Sequence, residues 1–365
     1  MGRYRLILMF FLFIFDLSAQ NPEGFSIYSS EKHQEIEIRS SEEWEQHRAH
    51  LRQNMEKLMG ELPDRTRLPA MDIKIKDTLR TDSYTRLNIE FTAAEDERVP
   101  AYLYLPHAGS AETKPAMLAL HPTGAEGKKI VDGQGRENRG YAKELAERGY
   151  VVIAPDYPSF GDLADFDFNA SRYSSGTMAG IFYHMRCADL LSDLPEVDSD
   201  RIGVIGHSLG GHNALFVAAF DERLKVVVPS CGWTQLEDYD IGPAGTEMYG
   251  GRLGPFAQDR YMPFFREKYQ LDGALIPVDF HEMIALLAPR PFFSNSPLYD
   301  SNFDVEGVKK GIRMAERVYY WMDAGEALQV RYPDAEHDFP TAIRKEAYEF
   351  VDRVLAHIPS PHKIE

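Results

Sequence analysis

The segment Gly206-His207-Ser208-Leu209-Gly210-Gly211 lies between the apolar run Ile202-Gly203-Val204-Ile205 and the helix-like run 213–219. A strand that bends sharply into a helix leaves no room for side chains beside the bend, so small residues must stand at 206 and 210. This geometry lifts the Ser208 hydroxyl clear of the backbone. The first turn of the following helix supplies N–H groups without intrahelical acceptors and a partial positive charge. A G-x-S-x-G pattern in a strand–turn–helix setting marks Ser208 as a candidate nucleophile, the plain alternative being a glycine turn with a structural role only.

The same rhythm extends along the chain. Apolar runs at 116–120, 151–154, 202–205, 225–228 and 291–293 alternate with helical stretches near 137–148, 176–194, 211–220, 305–323 and 341–357. Strand and helix in alternation predict a parallel sheet with helices on both faces, an α/β class. Residues 72–76, 86–91 and 99–105 alternate apolar and polar and predict antiparallel strands ahead of it. Ser40-Ser41-Glu42-Glu43-Trp44 reads as a helix cap and first turn, with Trp44, Leu51, Met55 and Leu58 on one face and Pro63 as the stop. Residues 233–285, rich in Gly, Tyr, Phe and Asp, interrupt the alternation. An insertion of that length above the strand ends predicts a cap over the site. The expected organisation is a signal peptide over 1–19, a helical extension over 20–69, and an α/β domain over 70–358 that contains the 233–285 insertion.

A net charge of −17 argues against nucleic acid or an anionic membrane surface as the main partner. Arg3 and Arg5 precede the apolar stretch 6–15 and the small residues Ser18 and Ala19, the pattern of a signal peptide cleaved after Ala19. The stretch is short for a membrane span and no Cys follows it. Export to a secreted or periplasmic location with no stable membrane anchor is expected. Export permits a disulfide, but nothing in the sequence brings Cys187 and Cys231 together, and two free thiols are expected. His281-Glu282 lacks the second His of H-E-x-x-H, and Gly133-Gln134-Gly135 lacks the third glycine of a dinucleotide loop. No metal and no cofactor are expected.

A serine hydroxyl needs a base within hydrogen-bond reach, and the base needs an orienting acid. In a parallel sheet these must come from loops at the C-terminal ends of later strands. His337, after the run 327–332 and before the last helix, fits the base. His121, His207, His212, His281, His357 and His362 are placed less well. Asp300 and Asp304 both follow the run 291–294. Asp300 is expected as the acid, while Asp304 suits a helix cap. Charge that develops on a carbonyl oxygen needs two fixed N–H donors. Leu209 supplies one; Pro122 cannot donate, so Thr123 or Gly124 must supply the other, with Thr123 the expected one. Aromatic residues around the covering region (Tyr157, Phe160, Trp233, Tyr239) suit stacking on a sugar, with Tyr157 and Trp233 expected to bind substrate.

Together with Leu120-His121-Pro122-Thr123, the stretch 147–157, Asp198-Ser199-Asp200-Arg201-Ile202-Gly203 and Leu287-Ala288-Pro289-Arg290-Pro291, these residues resemble the α/β-hydrolase superfamily. Within it they are similar to the bacterial esterases related to dienelactone hydrolase and acetyl xylan esterase, over residues 70–358. The resemblance implies an α/β-hydrolase fold and serine ester hydrolysis through an acyl-enzyme, on a small-molecule or carbohydrate ester. A lactonase, an aryl-ester hydrolase and a non-catalytic binding protein on the same scaffold are the alternatives. Two features depart from the resemblance: dienelactone hydrolases carry Cys where this chain has Ser208, and the 296–304 segment lacks a glycine-rich turn before the acid.

Overall fold

The computed structural model describes residues 25–29, 34–107 and 113–360. The expected signal peptide lies outside them. The strands are β1 (Phe25–Ser29), β2 (Gln34–Ile38), β3 (Lys74–Arg80), β4 (Tyr84–Ala94), β5 (Glu97–Pro106), β6 (Lys114–Leu120), β7 (Val151–Pro155), β8 (Val197–His207), β9 (Leu224–Ser230), β10 (Phe292–Asn295) and β11 (Leu328–Arg331). The helices are α1 (Ser41–Met59), α2 (Tyr141–Glu147), α3 (Gly176–Asp193), α4 (Leu209–Phe220), α5 (Gly242–Tyr249), α6 (Phe264–Glu267), α7 (Phe280–Leu287), α8 (Val305–Trp321) and α9 (Thr341–Val354).

Among the described residues, nine strands form one sheet in the order β11-β10-β9-β8-β6-β7-β5-β4-β3. The run from β11 to β7 is parallel, and β5, β4 and β3 continue it in antiparallel fashion. This is an α/β-hydrolase arrangement. β7 and the buried stretches of β6, β8 and β9 are almost wholly apolar because both faces are covered, whereas β11, at one edge, is half-buried and carries Gln329 and Arg331. In β7, Val151 and Ile153 point into the core shared with α3 and α4, while Val152 and Ala154 point into the core shared with α2 and α9. β3, at the free edge, is exposed along its whole length and can afford Lys and Arg.

Between β7 and β8 the chain crosses from one side of β6 to the other, so consecutive connections leave in opposite directions there. The C-terminal ends of β6 and β8 lie side by side, with Leu120 opposite Gly206. That switch point leaves a crevice at the strand ends, the usual place for a ligand in an open α/β sheet.

The N-terminal extension is more than a helix. β1 and β2 form a hairpin ahead of α1, and Phe25 sits edge-on to Trp44 at 5.4 Å and to His281 at 5.5 Å. α1 buries Trp44, Leu51, Met55 and Leu58 as its spacing predicts. It ends at Gly60 (φ +100°), where the spacing expects it to, because the reversed backbone there returns its N–H to Glu56 O; Pro63 follows three residues on. The 233–285 insertion carries α5 and α6, but its last residues enter α7, which is buried against α4 and α8. That end of the insertion is core. Cys187 and Cys231 are both free and buried. Among the described residues no helix is long and apolar enough to cross a membrane.

A buried ion pair ties the loop after β6 to the loop after β7. Lys128 and Asp156 are 1% and 0% exposed, and Lys128 Nζ donates to Asp156 at 2.5 Å and to Asp162 at 2.8 Å. The Asp156 carboxylate also accepts from the backbone N–H of Lys128 and of Asp162. Removing one partner of such a pair strands the other charge in the core, so Asp156→Ala is expected to lower stability by about 3–5 kcal/mol in urea denaturation. Glu306→Ala, at the exposed Lys309–Glu306 pair, should cost no more than about 0.5 kcal/mol.

Burial also pushes five histidines below their ordinary pKa: His121, His184 (to about 3), His207, His212 (to about 4) and His357. The unfolded chain takes up these protons near pH 6.5 and the folded protein does not. Their contribution is therefore intact above pH 6.5 and is lost as pH falls toward the folded values. Stability measured in urea should drop between pH 6.5 and 5, by up to about 1.4 kcal/mol per pH unit for each histidine, and His184→Gln should flatten the slope.

Candidate active site

Ser208 occupies φ +56°, ψ −118°, a conformation a side-chain-bearing residue adopts only when its surroundings impose it. They do so here through close backbone crossings. A Cβ on Gly210 would run into the carbonyl of Leu120 at the end of β6, and one on Gly206 would meet the carbonyl of Gly210. Ser208 N–H donates to Ser230 O at 2.8 Å. His207 N–H donates to the Tyr141 hydroxyl at 3.1 Å, and that hydroxyl donates to Leu120 O at 2.5 Å. The bend is thus held from β6, β9 and α2 together.

Three side chains separated in sequence meet above it. His337, on the loop between β11 and α9, faces Ser208 with Nε2 at 2.9 Å from Oγ. Its Nδ1 lies 2.7 Å from Asp300 Oδ2, on the loop after β10. A carboxylate only accepts, so Nδ1 carries the hydrogen; in the neutral ring Nε2 is then the acceptor for the Ser208 hydroxyl. Burial alone would raise the Asp300 carboxyl. The hydrogen bond and charge of His337, with the Asn302 N–H, outweigh it and hold the carboxyl below the usual range. Asp304 does not reach the histidine. It caps α8, accepting from the N–H groups of Glu306 and Gly307.

The imidazole is held from several sides. Arg139 donates to His337 O at 3.1 Å and pairs with Asp338 at 2.5 Å, while Asn138 donates to Asp338 at 2.8 Å. The Phe303 ring stacks over His337 with centroids 5.9 Å apart. The His207 ring lies 4.9 Å from that of His337, and burial keeps it neutral, so His207 adds no positive charge beside His337. Asp338 stands next to His337 in sequence and was open to discovery there. Arg139 and Asn138 carry no such signal, because only the tertiary fold brings them to this loop.

Leu209 opens α4, where its N–H has no intrahelical acceptor. Thr123 lines the same cavity as Ser208, and its hydroxyl lies 3.2 Å from that of Tyr261. Gly124 lines the neighbouring hollow that Ser208 also borders. The cavity measures about 530 Å³ and is walled largely by the insertion, through Tyr239, Tyr249, Phe256, Arg260 and Tyr261, with Asn302 and Phe303 completing the wall.

Two expected substrate contacts need correction. Tyr157 is buried behind the wall, its hydroxyl donating to Arg260 O at 2.7 Å. Trp233 is buried with Nε1 donating to Ser294 Oγ at 3.0 Å. Both polar groups are satisfied within the protein, and neither ring borders the cavity. Phe160 is likewise buried, beside Tyr157, whereas Tyr239 does face the cavity. Sequence reasoning missed Tyr249, Arg260 and Tyr261, since residues in an irregular insertion show no periodicity to indicate their direction.

Among the described residues, His207, Cys231 and His337 form one group of metal-binding residue types, with ligand atoms within 4.8 Å of one another. Each is already engaged. His207 Nδ1 bonds Ser230 Oγ at 2.9 Å, His337 bridges Ser208 and Asp300, and burial, with the charge of Asp300, pushes the Cys231 thiol up.

A fluorophosphonate reagent is expected to label the wild-type protein at Ser208 and to leave Ser208→Ala unlabelled. His337→Ala should slow labelling by at least about a hundredfold, the low end of what a general base contributes. Asp304→Ala, which removes only a cap, should leave the labelling rate largely intact and cost about 1 kcal/mol of stability.

Comparison with known proteins places this geometry in context. The sequence profile of the Alpha/beta hydrolase family matches residues 137–357. YtaP of Bacillus subtilis (strain 168), a protein named as a hydrolase, is 28% identical over 320 residues, covering 84% of this chain and 100% of its own length. Carbohydrate esterase MZ0003, from an unknown prokaryotic organism, is 26% identical over 166 residues, 44% of this chain and 36% of that protein. Among solved structures, a glucuronoyl esterase from Solibacter usitatus superposes with a TM-score of 0.66 at 18% identity, over 92% of this chain and 97% of that one. From the profile match, the strand order and the bend at Ser208, the chain belongs to the alpha/beta hydrolase family.

Proposed function

We propose that the protein is an exported serine carboxylic-ester hydrolase that works through an acyl-enzyme and removes small acyl groups from carbohydrate esters. The hydrogen-bonded chain Ser208–His337–Asp300 beside an open cavity is the observation that carries this reading. Ser208 Oγ attacks the ester carbonyl carbon while its proton passes to His337 Nε2. The N–H groups of Leu209 and Thr123 receive the oxyanion. The bond to the alcohol then breaks, with His337 protonating the leaving oxygen. Water attacks the acyl-enzyme as His337 takes its proton, the acid leaves, and Ser208 recovers its hydrogen. Asp300 holds the ring in the required tautomer and offsets its positive charge.

The carbohydrate part of the proposal is supported by the aromatic cavity wall and by the kinship with MZ0003. The part of the 233–285 insertion that walls the cavity acts as a substrate-binding cap. Export rests on the sequence of residues 1–19.

With 4-nitrophenyl acetate, a burst of nitrophenol equal to the enzyme concentration, or steady turnover abolished in Ser208→Ala, is the expected result. Absence of any Ser208-dependent turnover across aryl acetates, lactones and acetylated xylan would leave the binding-protein alternative. Faster release of acetate from acetylated xylan than from aryl acetates supports the carbohydrate reading; the reverse order, or a preference for lactones, overturns it.

A further inference from the structure

The wall of the cavity in front of Ser208 carries one guanidinium and no carboxylate. Acidic residues outnumber basic ones 57 to 40 in this chain, so a wall free of Asp and Glu departs from the protein as a whole. His212, also in the wall, is pushed down to about 4 by burial and is neutral at pH 7. Arg260 is therefore the formal charge of that wall.

Among the described residues no carboxylate forms an ion pair with Arg260. Its guanidinium lies 5.4 Å from the centroid of the Phe160 ring, a contact that orients a cation without neutralising it. Other arginines that touch this insertion are occupied with backbone carbonyls: Arg252 with those of Leu236 and Tyr239, and Arg266 with that of Tyr249.

The backbone that presents Arg260 is fixed. Gly176 N–H donates to Asp259 O at 3.1 Å and Thr177 N–H to Tyr261 O at 3.0 Å, so residues 259–261 are bonded to the first turn of α3. Tyr157, buried beneath, donates to Arg260 O. A Cβ at position 176 would collide with that same carbonyl, which is why the helix can begin this close only with glycine. An oriented, unpaired cation on a fixed backbone beside a nucleophile is the arrangement of a recognition group, because the fork of donors on a guanidinium matches a carboxylate.

Resting on the ester-hydrolase reading above, we infer that Arg260 binds an anionic group of the substrate, so that the preferred ester carries a free carboxylate away from the bond that is cut. The hydroxyls of Tyr249 and Tyr261, in the same wall, are donors suited to its remaining oxygen lone pairs. Arg260 selects the substrate and takes no part in the proton transfers.

Two matched pairs of esters test this. Methyl hydrogen adipate against dimethyl adipate places the charge on the acyl side. 4-Acetoxybenzoate against methyl 4-acetoxybenzoate places it on the alcohol side. In each pair the ratio of kcat/KM, charged over neutral, is divided by the ratio of hydroxide-catalysed rates. The expected result is a corrected ratio of about ten or more in one pair, the size of a hydrogen bond to a charged group. Arg260→Gln should bring that ratio close to one, chiefly through KM, and Arg260→Lys should retain part of it. General damage to the fold would lower both members of a pair together and leave the ratio unchanged. A wild-type ratio near or below one in both pairs overturns the inference while the ester-hydrolase reading stands, and so does a high ratio that survives Arg260→Gln. Hydrolysis of none of the four esters overturns both.

Discussion

The bend at Ser208 is the constraint on which the site depends. Holding a serine at φ +56° costs about 1–3 kcal/mol, and it persists because β8 and α4 are clamped between neighbours that leave the backbone no alternative. The clamp consists of main-chain contacts. α4 comes close enough to the end of β6 that its second residue must be glycine, and the amide of Ser208 is bonded to the end of β9. The same crossing that strains the serine also starts α4 directly after it, with first-turn N–H groups that have no intrahelical acceptor. The candidate nucleophile and a candidate oxyanion donor thus follow from one piece of geometry.

Parallel pairing does the rest of the assembly. Because β6, β8, β10 and β11 run in one direction, the loops that carry Thr123, Ser208, Asp300 and His337 all leave from one edge of the sheet. Parallel pairing alone brings loops to the same edge but leaves them mobile. The ion pair of Lys128 and Asp156 fixes the loop after β6, and the Arg139–Asp338 pair fixes the loop that carries His337. The first pair is fully buried, where geometry must be good for it to be favourable, and the second sets a buried guanidinium against a half-buried carboxylate. Their rigidity matches what a relay of hydrogen bonds at 2.7 and 2.9 Å requires.

The insertion follows a different logic. Its inner part, from Trp233 to Leu236 and again from Phe280 onward, belongs to the core, while its middle walls the cavity. Tyr157 and Trp233 illustrate the division. Both are aromatic, polar-tipped and near the site in sequence terms, yet each finds an internal acceptor and is buried. Tyr239, Tyr249 and Tyr261 keep a face toward the cavity. What separates the groups is which way tertiary packing turns each ring, and sequence carries no record of that.

Local pattern determined the fold class and pointed to the candidate residues of the site. Alternating apolar runs and helical stretches imply the sheet, the G-x-S-x-G bend names Ser208, and strand order in a parallel sheet narrows its partners to loops after later strands. Position alone left Asp300 and Asp304 both open; the structure separates them, because one faces an imidazole and the other faces the amides of α8. The hairpin of β1 and β2 escaped notice, since short strands ahead of a capped helix have too few residues to show a period. Arg139 and Arg260 were equally invisible: their roles arise from contacts across long stretches of chain. Periodicity is a local property written into neighbouring residues, whereas the direction of a loop side chain and the absence of a counter-charge beside it exist only once distant segments have packed together.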